Sequence, residues 1–146
     1  MIDISNKEII ERVARASGKI YLSTETIDRI KNKDIKKGNP VTIAEIAGDL
    51  GVKKVPELLP LCHPIPIENI DFEFELQENA VKVYCSVKSR AKTGVEMEAL
   101  TGVNIALLNI WDVVKMYEKD EKGQYPHTWM DEIKVEKKVK KVNLEK

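Results

Sequence analysis

The chain sets 24 Lys plus Arg against 24 Asp plus Glu over 146 residues, and it is 42% hydrophobic and 33% charged. It is too apolar for disorder and too charged for a membrane protein, and its zero net charge argues against a general nucleic-acid binder. The length suits a single domain over residues 1–146, with enough interior for a core of its own.

Residues 1–22 read as a lead-in ending in a strand, where Ile20 and Leu22 alternate with Lys19 and Tyr21. No basic stretch followed by an apolar one opens the chain, so no signal peptide is expected. Ser23 suits the N-cap of a helix through Ile27 and Ile30, with Glu25 in its first turn. That helix should fade in the charged stretch Lys31 to Lys37 and stop before Gly38-Asn39-Pro40. Thr42 and Glu45 have capping-box spacing, with Ile43, Ile46, Ala47 and Leu50 at helical period and Gly51 as the stop. Pro56 suits the first turn of a short helix, Glu57 to Leu59. Pro60, Pro64 and Pro66 then stiffen the chain, so Leu61-Cys62-His63 sits in a rigid connection.

Ile70, Phe72, Phe74 and Leu76 alternate with Asp71, Glu73 and Glu75, and Val81, Val83, Cys85 and Val87 alternate again after Gln77-Glu78-Asn79. This pattern predicts an antiparallel hairpin with one buried face. From about Thr93 to Tyr117, Leu100, Val103, Leu107, Ile110 and Val114 recur every three or four residues, as in a core-facing helix. It should end near Gly123. Ile133, Val135, Val139 and Val142 suggest a lysine-rich final strand suited to a sheet edge or a tail. The whole points to an α+β fold, helices on an antiparallel sheet.

The longest uncharged run, Ala99 to Trp111, is 13 residues, too short to span a bilayer. Cys62 and Cys85 stand in unlike contexts, so neither a disulfide scaffold nor a four-ligand zinc site is expected. A reduced, cytoplasmic protein follows.

Phosphate-loop, dinucleotide-fold, metalloprotease and serine-elbow patterns are absent. Three segments remain. In Leu61-Cys62-His63-Pro64 the prolines hold His63 outside regular structure, which favours function over a packing role. Nothing beside Cys62 in sequence lowers its pKa, so a reactive thiol is disfavoured. In Lys92-Thr93-Gly94-Val95-Glu96-Met97-Glu98 the two glutamates at i, i+2 cannot share a helix face. Asp112 and Lys115 are i, i+3 neighbours, either a weak surface ion pair or a carboxylate tuned by an ammonium. Glu98 and Asp112 lie roughly 21 Å apart along one helix. Either the ligand is long or two subunits each give part of the site.

Leu58-Leu59-Pro60-Leu61-Cys62-His63-Pro64, Lys92 through Thr101, and Trp111-Asp112-Val113-Val114-Lys115 closely resemble the molybdenum cofactor biosynthesis protein C family, as does the opening Asp3-Ile4-Ser5 with Lys7. The resemblance implies a ferredoxin-like α+β fold and a homohexamer, a trimer of dimers, with active sites at subunit contacts. It implies cyclic pyranopterin monophosphate synthase activity. The substrate would be the GTP-derived (8S)-3′,8-cyclo-7,8-dihydroguanosine 5′-triphosphate, and the products cyclic pyranopterin monophosphate and diphosphate.

Carried over residue by residue, Asp112 and Lys115 match the family's catalytic pair. Leu61, Cys62 and His63 match one substrate-binding segment, and Met97 and Glu98 the other. Glu96, Lys92 and Lys53 fall on pocket positions; Lys37 does so with a weaker local anchor. A late pocket lysine maps to Lys138 or Lys137. Ala91 departs from the expected Gly before Lys-Thr-Gly and removes no chemistry. Asp112 and Lys115 would shuffle protons during ring rearrangement, while Lys53, Lys37 and His63 would stabilise the departing diphosphate. Glu96 or Glu98 would read the guanine-derived edge.

No metal site and no resident cofactor are required; Mg²⁺ would come, if at all, with the triphosphate. Two rivals stand beside this reading: a non-catalytic nucleotide-binding regulator, and a metal-binding protein using Cys62, His63 and a Glu. The balanced charge also proves to be an average, because Glu68 to Glu78 is acidic while Lys31 to Lys37 and Lys134 to Lys141 are basic. Bulk nucleic acid stays excluded as a partner; a few gathered lysines suffice for one small triphosphate.

Overall fold

The computed structural model describes residues 1–142. The chain runs β1 (Ile10–Tyr21), α1 (Thr24–Lys31), α2 (Pro40–Lys53), α3 (Val55–Leu58), β2 (Asn69–Leu76), β3 (Ala80–Ala91), α4 (Glu96–Glu118) and β4 (Trp129–Lys141). The sheet order is β2-β3-β1-β4, and every neighbouring pair is antiparallel. The path is βαββαβ with β4 and β2 at the edges, the ferredoxin-like α+β arrangement.

The hairpin forms where the alternation predicts. Phe72 stands opposite Cys85, and Cys85 opposite Ala16, so one row crosses three strands on the helix-facing side. Val103, Ala106, Leu107, Ile110 and Val114 of α4 are wholly buried over those rows. This burial is the main stabilising term. Close approach is needed at two glycines. A Cβ on Gly102 would lie 2.7 Å from Cys85 Sγ and 2.9 Å from Val52 Cγ2, and one on Gly48 would strike the Phe72 ring. By length and composition α4 could cross a membrane. Here its apolar stripe is spent on the sheet.

Four features differ from the sequence reading. First, β1 fills most of the expected lead-in. Arg12 stands in the core-facing register and is 6% exposed, its Nε donating to the Ala91 carbonyl at 3.1 Å. A charged residue on the apolar face hides the alternation.

Second, α2 starts three residues before the predicted box. Asn39 caps it, its side-chain oxygen accepting from the Val41 and Thr42 amides, with Pro40 in the first turn. Gly51 does not stop it; the helix runs on to Lys53, and Gly51 is buried against Ile105. The short helix after it, α3, likewise starts earlier than predicted, at Val55.

Third, α2 turns its small side inward. Ala44, Gly48, Gly51 and Val52 are buried, whereas Ile46 and Leu50 are 59% and 53% exposed. The Phe72 ring leaves no room for larger side chains there.

Fourth, α4 starts at Glu96 rather than near Thr93; it ends at Glu118, close to Tyr117 where the three-four spacing stops, and Gly123 is not its terminator. The buried Glu118 carboxylate accepts from the Ser23 amide (3.0 Å), the Ser23 hydroxyl (2.8 Å), Thr26 Oγ1 and Thr128 Oγ1 (2.8 Å). Gly123, at φ +73, serves a turn in which Asp120 accepts from the Lys122 and Gln124 amides. The lysine-rich last strand is an edge strand, as expected.

Candidate active site

Two clusters sit at opposite ends of α4. Near its C-terminus the helical i, i+3 spacing sets Lys115 Nζ 3.1 Å from Asp112 Oδ1. A third group arrives from the segment after α1. Lys37 Nζ donates to the Asp112 backbone carbonyl at 2.9 Å and lies 3.5 Å from Asp112 Oδ1. The hydrogen bond from Lys115, then the charge of Lys37, holds the Asp112 carboxyl below the usual range. Asp112 is therefore an ionised base, more than half exposed, flanked by two ammonium groups that can donate. Beside it is a pocket of about 450 Å³ lined by Leu108, Trp111, Tyr125 and Met130, with Trp111 and Tyr125 edge to face at 5.2 Å.

At the other end, the proline-stiffened loop lays Leu61, Cys62 and His63 against the start of α4. With Thr93, Gly94, Glu96, Met97, Glu98 and the N-terminal Ile4 and Lys7 they line a pocket of about 510 Å³. Glu98 is only 4% exposed, and burial pushes its carboxyl up, helped by the charge of Glu96. Burial, then the nearby Glu98, also raises the Cys62 thiol. A raised thiol is a poor nucleophile at neutral pH, so Cys62 lines the wall. Lys138 Nζ lies 3.6 Å from Glu96 Oε1. Lys138 pairs with Ala14 of the core-facing row, whereas Lys137 pairs with Arg15 of the opposite row. Of the two lysines left open by sequence, Lys138 is thus the one beside this cluster.

Lys92 Nζ donates to the Ser5 carbonyl at 3.2 Å, tying the N-terminal segment to the rim. Arg12 is a contributor that sequence reasoning missed. Besides Ala91 it reaches the Lys92 carbonyl at 3.4 Å, so its guanidinium fixes the turn that delivers Lys92 to Glu98. Its only sequence signal is a charge at an apolar register position. Lys53 lines neither pocket; it is exposed at the end of α2, near Asp49.

Glu98 and Asp112 share one unbroken helix, so about 21 Å of α4 separates them. Within one chain the catalytic-type pair and the Cys62–Glu98 pocket do not meet. Among the described residues no three His, Cys, Asp or Glu side chains gather as a metal site.

A sequence profile described as MoaC family matches residues 1–141. A protein of Archaeoglobus fulgidus is 54% identical over 140 residues, covering 96% of this chain and 90% of the relative. Proteins of Sulfurisphaera tokodaii and Thermococcus kodakarensis are each 53% identical over 140 residues, covering 96% of this chain and 93% and 90% of themselves. All three are named probable cyclic pyranopterin monophosphate synthase.

Proposed function

The chain belongs to the MoaC family, and from that premise we propose that it is a cyclic pyranopterin monophosphate synthase of molybdenum cofactor biosynthesis. It converts the cyclic dihydroguanosine triphosphate to cyclic pyranopterin monophosphate and diphosphate. The observation that carries this reading is the identity above one half, over 140 residues, to relatives of that name.

The geometry supplies a division of labour. Asp112, held ionised, takes a proton, and Lys115 at 3.1 Å returns one, as the dihydropurine system opens and a pyrazine ring closes. A sugar-derived hydroxyl then attacks the α-phosphorus, its proton passing to a base, and the bond to the diphosphate breaks. Lys37 stands ready for the charge that grows on the leaving group, with His63 as a further donor; Lys53, outside both pockets of its own chain, would act only across a subunit contact. Glu98, largely buried, hydrogen-bonds the guanine-derived edge; Glu96, Lys92 and Lys138 complete the polar rim, and Leu61, Cys62 and Met97 give it apolar walls. No resident cofactor takes part, and any Mg²⁺ arrives with the triphosphate.

One site needs both clusters, and the separation along α4 keeps them apart in a single chain. The separation favours a site shared between subunits, and the family resemblance implies the form it takes: a homohexamer, a trimer of dimers, in which Asp112, Lys115 and Lys37 of one subunit face the Cys62–Glu98 pocket of another. Ile46, Leu50, Leu58, Leu108 and Met116, all between 47% and 59% exposed, support such an assembly. The enzyme works in the cytoplasm, on a small molecule rather than nucleic acid.

The test is incubation with the cyclic triphosphate, followed by assay for diphosphate and pterin. Release of both is expected. Reversible binding without diphosphate would make the protein a nucleotide-binding regulator instead.

A further inference from the structure

Asp112 and Lys115 are neighbours by helix geometry alone. Lys37 is not, and something must bring it across. The segment 32–38 leaves α1 and crosses to α4, tied back to α1 by the Asp34 amide, which donates to the Arg29 carbonyl at 2.8 Å, and closed on itself by Gly38 donating to the Ile35 carbonyl at 3.1 Å, with Ile35 packed against the core. Lys33, at φ +58, and Gly38, at φ +124, turn its two ends. Among the described residues, this segment's one backbone hydrogen bond to α4 is to a side chain. The Lys36 amide donates to Tyr117 Oη at 2.8 Å. The next residue is Lys37, whose ammonium reaches the Asp112 carbonyl and carboxylate.

Tyr117 is itself held in place. The Arg29 guanidinium stacks 4.5 Å from its ring centroid and is paired with Asp34 Oδ2 at 2.8 Å. Arg29 therefore clasps the phenol ring and the segment at once. The ring is half-buried against the core, so the phenol oxygen is a fixed point on the helix.

We propose that Tyr117 is a positioning residue. Its phenol oxygen anchors the Lys36 amide and so holds the Lys37 ammonium against Asp112. Without that acceptor the segment keeps its ties to α1 and the Ile35 contact but loses its backbone bond to α4, and Lys37 becomes a long surface side chain with rotamer entropy opposing its pairing. Among the described residues Tyr117 makes no hydrogen bond to Asp112 or Lys115, and it acts through Lys37. The inference rests on the functional reading above.

The experiment is a double-mutant cycle of Tyr117→Phe and Lys37→Ala. Phe keeps the ring and the Arg29 stack and removes only the acceptor. Tyr117→Phe is expected to lower kcat about fivefold, the effect of one lost hydrogen bond, in a chain with Lys37 present. In the Lys37→Ala background it should change kcat by less than about twofold. A fivefold loss in both backgrounds, or none in either, overturns the proposal.

A second readout needs no turnover. Lys115 and Lys37 are the two cations that act on the Asp112 carboxyl. Carbon-13 NMR of that carboxyl should show its titration moving to higher pH in Tyr117→Phe and in Lys37→Ala alike. An unmoved titration in Tyr117→Phe overturns the proposal even if the wild-type chain releases no diphosphate. That last outcome would instead count against the functional reading.

Discussion

Lys115 Nζ lies 3.1 Å from Asp112 Oδ1, one turn further along the same helix, and the pair is open to solvent on one side. An exposed pair of this kind adds little to stability, because water screens it. Its effect falls on protonation. Asp112 stays ionised well into the acid range, and whatever stability its pairing gives is present above its unfolded pKa and lost as pH falls through the depressed one. Lys115→Met should raise the Asp112 titration toward the ordinary carboxylate range, read by carbon-13 NMR. Asp112→Asn should leave circular dichroism and oligomeric state unchanged while turnover falls by about a hundredfold or more. Near-normal turnover would remove Asp112 from the central role.

Mixing chains tests the shared site. Asp112→Asn and His63→Ala should each be inactive alone, since each destroys one half of every site. Co-refolded in equal amounts, they should regain roughly a quarter of wild-type activity if the halves come from different subunits. A site built within one chain predicts no recovery, because every chain then carries a lesion.

Glu98 stores a stability cost at the pocket. Its carboxyl is raised by burial, so the folded chain holds the proton more tightly than the unfolded one. The sign follows: stability is lost as pH rises from the unfolded pKa through the raised folded one, and the loss persists at neutral pH. Glu98→Gln should melt a few degrees higher than wild type near neutral pH, with the difference closing at about pH 4. Activity should fall in the same variant. Equal melting curves at both pH values would show that the buried carboxylate is already compensated.

Packing of α4 on the sheet gives a prediction opposed to helix propensity. Alanine in place of Gly102 would favour the helix by about 1 kcal/mol. The added Cβ would meet Cys85 Sγ at 2.7 Å and Val52 Cγ2 at 2.9 Å, both on packed elements. Overpacking costs about 1–3 kcal/mol, so Gly102→Ala should lower the denaturant midpoint overall. A raised midpoint would mean that the helix can lift without loss.

How far the sequence carries depends on how local each signal is. The hairpin and α4 were legible because alternation and three-four spacing are set within a few residues. Asp112 and Lys115 were legible as neighbours for the same reason. Strand β1 was not, because Arg12 occupies an apolar register position and finds its partners 79 and 80 residues away. The inward face of α2 is not marked by its isoleucines and leucine at helical period, since the interior space left by Phe72 selects alanine and glycine. The meeting of Lys37 with Asp112, 75 residues apart, follows from no spacing rule. Only the family resemblance pointed to Lys37, and nothing pointed to Tyr117.

The Glu118 carboxylate gathers donors from the cap of α1 and from the residue just before β4, 95 and 10 positions away. It thus couples the end of α4 to the cap of α1 and to the start of β4. The carboxylate has its full set of donors only when Ser23, Thr26 and Thr128 are all in place. Opening the end of β4 would strand a buried carboxylate and uncap α1 together. Amide exchange at Ser23 and Glu118 should therefore proceed as one cooperative unit, and the exposed edge strand should be better protected at its start than its solvent-facing position suggests.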